Sequence, residues 1–319
     1  MSPFRAAPLT LTPAILLLLT GWACPQPISA QQIASTVEPP RSVDRSFQPV
    51  IDDPAHPEGT GPVVMIDETH NNFHTAVGTY WPFTKVLEQD GYSVKRGTDP
   101  LTRAVLESCH VLVISDAQPP AEPGDPPTFS PAETDLLTAW VREGGSLFLI
   151  TDHMPDPWAI ADLARSFGIE VHNGYVLNGA PPGLLEPILF QRLDGTLADH
   201  PLTNGRNPSE RVDSVATFNG SAFTADDAFQ PVMIFGPGRL SWAPDALYEF
   251  KSDTPHVDVT GWYQGGVMEF GQGRLAFFSE AAMFTAQAFE EGRIRFGMNH
   301  PQGGDNLRLL RNVMRWLTE

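Results

Sequence analysis

Cysteine and positive charge are the scarce resources of this chain. It holds 2 Cys among 319 residues, too few for a disulfide framework. Lys and Arg total 20 against 38 Asp and Glu, a formal charge of −18 with histidine neutral. A nucleic-acid backbone is gripped by clustered Lys and Arg, so no nucleic-acid partner is expected. The same sign disfavours docking on an anionic membrane surface. Past the N-terminal region no run of about 18 apolar residues occurs, so no membrane span is expected there. A Walker A loop, a G-x-G-x-x-G fingerprint and a G-x-S-x-G elbow are also missing. What is present is ordinary globular composition, 41% apolar and 18% charged. The 31 Pro and 27 Gly point to many turns and long loops.

Residues 1–30 read as a signal peptide. Arg5 is their single charge, and the apolar run is densest at Pro13-Ala-Ile-Leu-Leu-Leu-Leu19. Ile28-Ser29-Ala30 offers small residues at a cleavage point before Gln31. Cleavage there would remove Arg5 and Cys24, taking the 20 basic residues to 19 and the charge from −18 to −19. Lipid attachment at Cys24 is the second option, disfavoured because Gly21-Trp22-Ala23 lacks the usual Leu. Either way an exported protein, periplasmic or extracellular, is expected, with Cys109 its one remaining thiol. Residues 31–61 read as a Pro-rich linker or surface arm.

Residues 62–319 read as a single α/β domain. Val63–Ile66, Tyr92–Val94, Val111–Ile114 and Ser146–Ile150 are apolar runs of strand length. Between them lie helices predicted over 82–89, from Asp99-Pro100 to about 108, from the capping box Ser130-Pro-Ala-Glu133 to Gly144, and over 157–167. This alternation predicts a parallel sheet with helices on both faces. The second half is less regular. Arg211–Phe218 and Gln230–Phe235 read as strands, and Val267–Phe270 and Arg274–Phe278 as a hairpin on a three-residue Gly loop. Asp305 is expected to cap a last helix with Leu307, Leu310, Val313, Met314 and Leu317 on one face.

Ligands of open parallel sheets bind beyond the carboxyl ends of the strands. Four predicted strands are followed there by polar groups. They are Asp67, Glu68, His70, Asn71, Asn72 and His74 after the first, Ser115 and Asp116 after Val111–Ile114, Thr151, Asp152 and His153 after Ser146–Ile150, and Ser279 and Glu280 after Arg274–Phe278. Glu68, His70, Asp152, His153 and Glu280 are therefore candidate acid–base residues. His70, His74 and His153 are candidate ligands of a divalent metal ion. A second reading has Asp67 and the Asn side chains bonding their own loop. Likewise Asp152 could cap its own loop or the Pro157 helix. Adjacent Asp152 and His153 point apart, so His153 is expected to pair with a carboxylate from another strand. Glu280 could serve only as a first-turn charge. Asn299 and His300 lie in a Gly/Pro-rich loop that could close over the edge. Cys109 precedes a strand, the position of a structural thiol.

Certain stretches resemble the class I glutamine amidotransferase-like superfamily, and more closely an exported bacterial branch of it. They are Ile66–His70, Phe129–Glu133, Trp140–Leu147, Ile150–His153 and Gly273–Glu280, the most specific being Gly144-Gly-Ser-Leu-Phe-Leu-Ile-Thr-Asp-His153. Trehalose-utilisation-type proteins and extracytoplasmic domains of some gliding-motility components have related folds. The resemblance implies a flavodoxin-like, amidotransferase-like sheet with a C-terminal β-hairpin and helix. It does not carry over glutamine hydrolysis, because Thr151-Asp152-His153 stands where those enzymes place a nucleophilic Cys. Two functions are compatible with the polar edge: a hydrolase, metal-assisted or not, or a non-catalytic domain binding carbohydrate or an envelope partner, with Tyr80, Trp81 and Trp158 available to stack on a sugar.

Overall fold

The computed structural model describes residues 1, 42–122, 124–179, 186–289 and 292–319. The expected signal peptide and the first part of the arm, through residue 41, lie outside them apart from Met1.

In chain order the strands are β1 Ser42–Val43, β2 Val63–Asp67, β3 Ser93–Gly97, β4 Val111–Ser115, β5 Ser146–Ile150, β6 Ile169–His172, β7 Tyr175–Val176, β8 Ile188–Gln191 and β9 Ser214–Thr217. They continue with β10 Ala222–Ala225, β11 Gln230–Ile234, β12 Leu240–Trp242, β13 His256–Asp258, β14 Tyr263–Phe270, β15 Gly273–Phe278, β16 Ala286–Phe289 and β17 Ile294–Gly297. The helices are α1 Trp81–Gln89, α2 Arg103–Leu106, α3 Pro131–Arg142, α4 Asp156–Arg165, α5 Pro201–Asn204 and α6 Asn306–Thr318.

The main sheet is mixed and has nine strands, ordered β3-β2-β4-β5-β15-β14-β10-β6, with β11 also on β14. Its first five strands are parallel, and their order is that of a flavodoxin-type sheet with β15 as the fifth strand. The expected parallel sheet with a C-terminal hairpin is thus one part of a larger mixed sheet. The turn at Gly271 and Gln272 folds β14 back against β15, and β10, β6 and β11 then add antiparallel. That turn is two residues long rather than three, since Gly273 already pairs with Phe270.

Alternate side chains of the parallel strands feed two cores. Val64, Ile66, Phe148 and Phe278 pack with α1 and α6, whereas Met65, Leu112, Leu149 and Phe277 pack with α2, α3 and α4. Such strands must be apolar throughout, which is why they read as continuous runs. The capping box of α3 is present: Ser130 Oγ accepts from the Glu133 amide while Glu133 accepts from the Ser130 amide. Helix α2 starts later than expected because Thr102, not Asp99, is its cap, its hydroxyl accepting from the Val105 amide. Asp305 stands at the start of α6 but its carboxylate does not cap it. It accepts from the Asp213 and Ser214 amides and so ties α6 to β9.

Residues 42–61 carry a strand. β1 pairs with β16, while Phe47 and Ile51 pack on the first core. Asn299 donates to Asp44 at 3.0 Å, and His300 packs edge-on against Phe218 at 5.1 Å. Both therefore serve this small sheet and the β9 region. All described residues from Ser42 onward belong to one compact unit, Ser35–Glu319.

Candidate active site

The parallel strands deliver the residues beyond them to one edge, but those residues turn in different directions. After β2, Asp67 Oδ2 holds His70 Nδ1 at 2.7 Å, and Thr69 donates to Asp67 Oδ1. The His70 ring stacks on Phe129 at 4.1 Å, with Nε2 3.6 Å from Glu133. His70 therefore clamps the β2 loop to the start of α3. Burial opposes its charge, yet Asp67 and then Glu133 outweigh it and raise its pKa above 6.5. Glu68 turns outward to Arg96 at 2.6 Å and accepts the Ala76 amide. Asn72 bonds the His70 amide and the Ser115 carbonyl. For this part of the loop, the reading of polar side chains bonded to their own backbone describes what is found.

A raised histidine pKa has a defined sign. The stabilisation from His70 is fully present below 6.5 and fades as pH rises through the higher folded-state value. His70→Gln is thus expected to lower Tm more at about pH 5.5 than at about pH 9. Equal losses at both, by thermal melts, would show that the ring acts through packing alone.

His74 turns inward. Its Nε2 lies 2.9 Å from Asp116 Oδ2, its Nδ1 2.6 Å from the Thr79 hydroxyl, and its ring stacks on Tyr80 at 4.5 Å. Asp116 follows β4 in the left-handed region, φ +45°. After β5, Asp152 accepts from the amides of His153 at 2.7 Å and Ala281 at 3.3 Å. Where a carboxylate was expected, the ring nitrogens of His153 face a carbonyl and a hydroxyl. Its Nδ1 faces the Met154 carbonyl at 2.7 Å, so that nitrogen is the donor, and Nε2 faces the Tyr248 hydroxyl at 2.8 Å. The ring also stacks on Tyr175 at 4.5 Å.

These residues enclose a pocket of about 150 Å³. His74, Asp116, Gln118, Asp152, His153 and Asp156 form its polar lining; Phe73, Leu247 and Tyr248 stand around them. Phe73 and Leu247 are both more than half exposed. Tyr248, like Asp116, holds a left-handed backbone, φ +60°. Such strain in non-glycine residues persists only where the surroundings enforce it, and functional sites are where it collects.

Asp156, at the start of α4, is the one lining carboxylate the sequence did not single out. It is 7% exposed. Gln118 Nε2 donates to its Oδ1 at 3.0 Å, and Oδ2 has no hydrogen-bond partner among the described residues. Burial, then the charges of Asp116 and Asp152, push its pKa well above 3.8. Its signal was present as Asp152-His-Met-Pro-Asp156, but an Asp before Pro157 reads as helix punctuation.

Glu280 is buried behind this group rather than lining it. Its carboxylate accepts from the Met283 amide at 2.8 Å, and burial followed by the charge of Asp152 drives its pKa well up. Gly220 makes room for it: φ is +72°, and a Cβ there would meet the Ser279 carbonyl at 2.6 Å and Glu280 Cβ at 2.7 Å. Gly220→Ala is expected to cost about 1–3 kcal/mol from the backbone conformation alone. A urea melt indistinguishable from wild type would contradict this.

The structure thus brings together His74, Asp152 and His153 with Asp116 and Asp156, places Glu280 behind them, and leaves Glu68 and His70 outside. The expected set of metal ligands His70, His74 and His153 is not assembled, because His70 is held by Asp67 and Glu133 outside the pocket. Among the described residues, no three His, Cys, Asp or Glu side chains are placed to hold a metal ion. The aromatic residues expected to stack on a sugar also lie elsewhere. Tyr80 is fully buried, Trp81 lies under Arg45 at 5.0 Å, and Trp158 does not line the pocket. Cys109 is buried, donates to the Leu106 carbonyl and has its pKa pushed up by burial to about 11. A larger hollow of about 500 Å³ opens at the other ends of β5 and β15, but Arg103 there is already paired with Glu107 and Glu143.

No protein-family model matches the chain, and no curated protein matches it. Solved structures do. The N-terminal domain of mmIFT52 superposes with a TM-score of 0.55 at 14% identity, covering 80% of this chain and 97% of that one. This likeness is one of fold. A ThuA-like protein from Bacteroides uniformis matches at 15% identity and TM-score 0.45, over 85% of this chain and 94% of its own. A cytoplasmic protein from Salmonella typhimurium matches at 12% identity and TM-score 0.47, over 80% and 98%.

Proposed function

We propose that this pocket is the active site of a hydrolase for small substrates, carried on an amidotransferase-like scaffold in an exported protein. The observation that carries the reading is Asp156. It is a buried carboxyl with one open oxygen, held in a confined pocket and tuned upward by two neighbouring carboxylates. A general base works best when its pKa approaches the working pH, and burial beside like charge is how a carboxylate gets there. In this reading Asp156 Oδ2 takes a proton from water as the water oxygen attacks the substrate, then gives that proton to the leaving group. Asp152, fixed by two amides, and Asp116, braced by His74, supply the charge that sets Asp156.

The flavodoxin-type strand order supports the location. In such sheets ligands sit beyond the carboxyl ends of the strands at the switch point, here between β2 and β4, which His74 and Asp116 span. The volume bounds the substrate. Sites for drug-sized molecules run to about 300–1,000 Å³, so about 150 Å³ admits only a small head or ring. The test is a panel of nitrophenyl esters, anilides and glycosides with purified protein. Turnover that disappears in Asp156→Asn supports the reading, and no turnover across the panel overturns it.

A further inference from the structure

We propose that the pocket selects a small organic cation, a substrate whose ammonium head lies among the carboxylates of Asp116, Asp152 and Asp156 while its carbon skeleton meets Phe73 and Leu247. The inference rests on the pocket being the substrate site and names the class of molecule it takes. Three carboxylates, Asp116, Asp152 and Asp156, line the pocket, and among its described lining residues there is no Lys or Arg. Acidity alone would not identify a ligand. The independent observation is Asp156 itself: a residue only 7% exposed, with Oδ1 bonded by Gln118 and no protein donor on Oδ2 among the described residues, so that Oδ2 is left for something that enters the pocket. A carboxylate oxygen that faces a confined pocket is paired by whatever fills that pocket, water or ligand.

The groups packed around Asp156 favour a cation over other partners. Asp116 arrives from β4, Asp152 and His153 from β5, Tyr175 from β7 and Tyr248 from the loop after β12. His153 Nδ1 is committed to the Met154 carbonyl, and His74 lies between Thr79 and Asp116. An anion would meet the three carboxylates. A neutral ligand would leave their mutual repulsion as it is. A cation relieves it by direct charge attraction and can lie near the rings of Phe73 and Tyr248 for cation–π contact. About 150 Å³ equals roughly five waters' share of liquid, enough for a quaternary ammonium head.

Because the raised pKa leaves Asp156 holding a proton at low pH, binding a cation there releases that proton, and affinity rises with pH. Titration calorimetry with choline and with its uncharged tert-butyl analogue, in buffers of different ionisation enthalpy, tests this. Choline is expected to bind about 10- to 100-fold more tightly than the analogue, the difference a desolvated cation makes beside aromatic rings and carboxylates. It is expected to release up to one proton below the pKa of Asp156, and to lose both features in Asp156→Asn. Equal binding of the two molecules, no binding of choline, or binding without proton release in the wild type overturns the proposal, whatever the variant does. Choline binding without hydrolytic turnover would remove the hydrolase but leave this inference. Turnover of an uncharged ester with no choline binding would do the reverse.

Discussion

Asp156→Asn is expected to lower kcat/KM by about 10²–10⁴-fold, the usual contribution of a positioned general base, without lowering stability. Both halves come from the same geometry. Asn keeps an oxygen for the Gln118 amide that now bonds Asp156 Oδ1, so the local structure has little reason to move. What it removes is a titratable group whose charge is opposed by burial and by Asp116 and Asp152. The folded-state pKa lies above the ordinary 3.8, so the contribution of Asp156 to stability is most favourable below 3.8 and declines as pH rises through the folded value. The variant should therefore match or exceed the wild-type Tm near neutral pH, with a flatter dependence of Tm on pH. For activity the base must be deprotonated, so wild-type kcat/KM should climb as pH rises through the same raised value. Thermal melts and a pH–rate profile together check both halves. A variant that is both inactive and markedly less stable would instead make Asp156 a structural acid.

The framework of this site was legible in the sequence because its causes are local. Val111-Leu-Val-Ile114 and Ser146–Ile150 are strands covered on both faces, and continuous apolar runs are what such strands require. The Ser130–Glu133 capping box is a four-residue pattern, and it formed. The strand ends pointed to the edge where the pocket lies. Which residues face the pocket was not legible, because it depends on partners far away in sequence. His70 looked equivalent to His74. Its ring is turned aside by Phe129 and Glu133, about sixty residues on. His153 looked like a partner for a carboxylate, but Tyr248, in a loop of no evident pattern, takes its Nε2. Asp156 does not stand out, because an Asp at the opening of a helix is an ordinary first-turn charge. Beyond the hairpin of β14 and β15, the antiparallel part of the sheet was only partly legible: β11 reads as a strand in the sequence, β6 and β10 do not. β6, β10 and β11 are short strands, and only their long-range pairing shows which way they run.

Helix α6 carries the second large effect. Its apolar stripe is plain in the sequence, but Arg311 and Arg315 on the same helix are also buried, at 9% and 7% exposure. Two arginines survive there only because acids from distant segments meet them. Arg311 Nη2 lies 2.7 Å from Asp90 Oδ1, at the end of α1, and also donates to the Asp53 carbonyl. Arg315 Nη1 lies 2.8 Å from Glu210, and Nη2 lies 4.0 Å from Asp90. Asp90, itself fully buried, also accepts the Ala55 amide, so one carboxylate holds α1, α6 and the segment before β2 together. Asp90→Ala strands Arg311 in the interior with its main counter-charge gone. The expected loss is about 3–5 kcal/mol, the cost of breaking a buried pair by removing one partner. The pair itself need not stabilise by that amount, because taking both charges from water is expensive. A double variant, Asp90→Leu with Arg311→Met, should therefore recover much of what Asp90→Ala loses, and urea unfolding of the three proteins measures the difference. If the double variant is as unstable as the single one, the Ala55 and Asp53 backbone contacts, rather than the ion pair, are what join these elements.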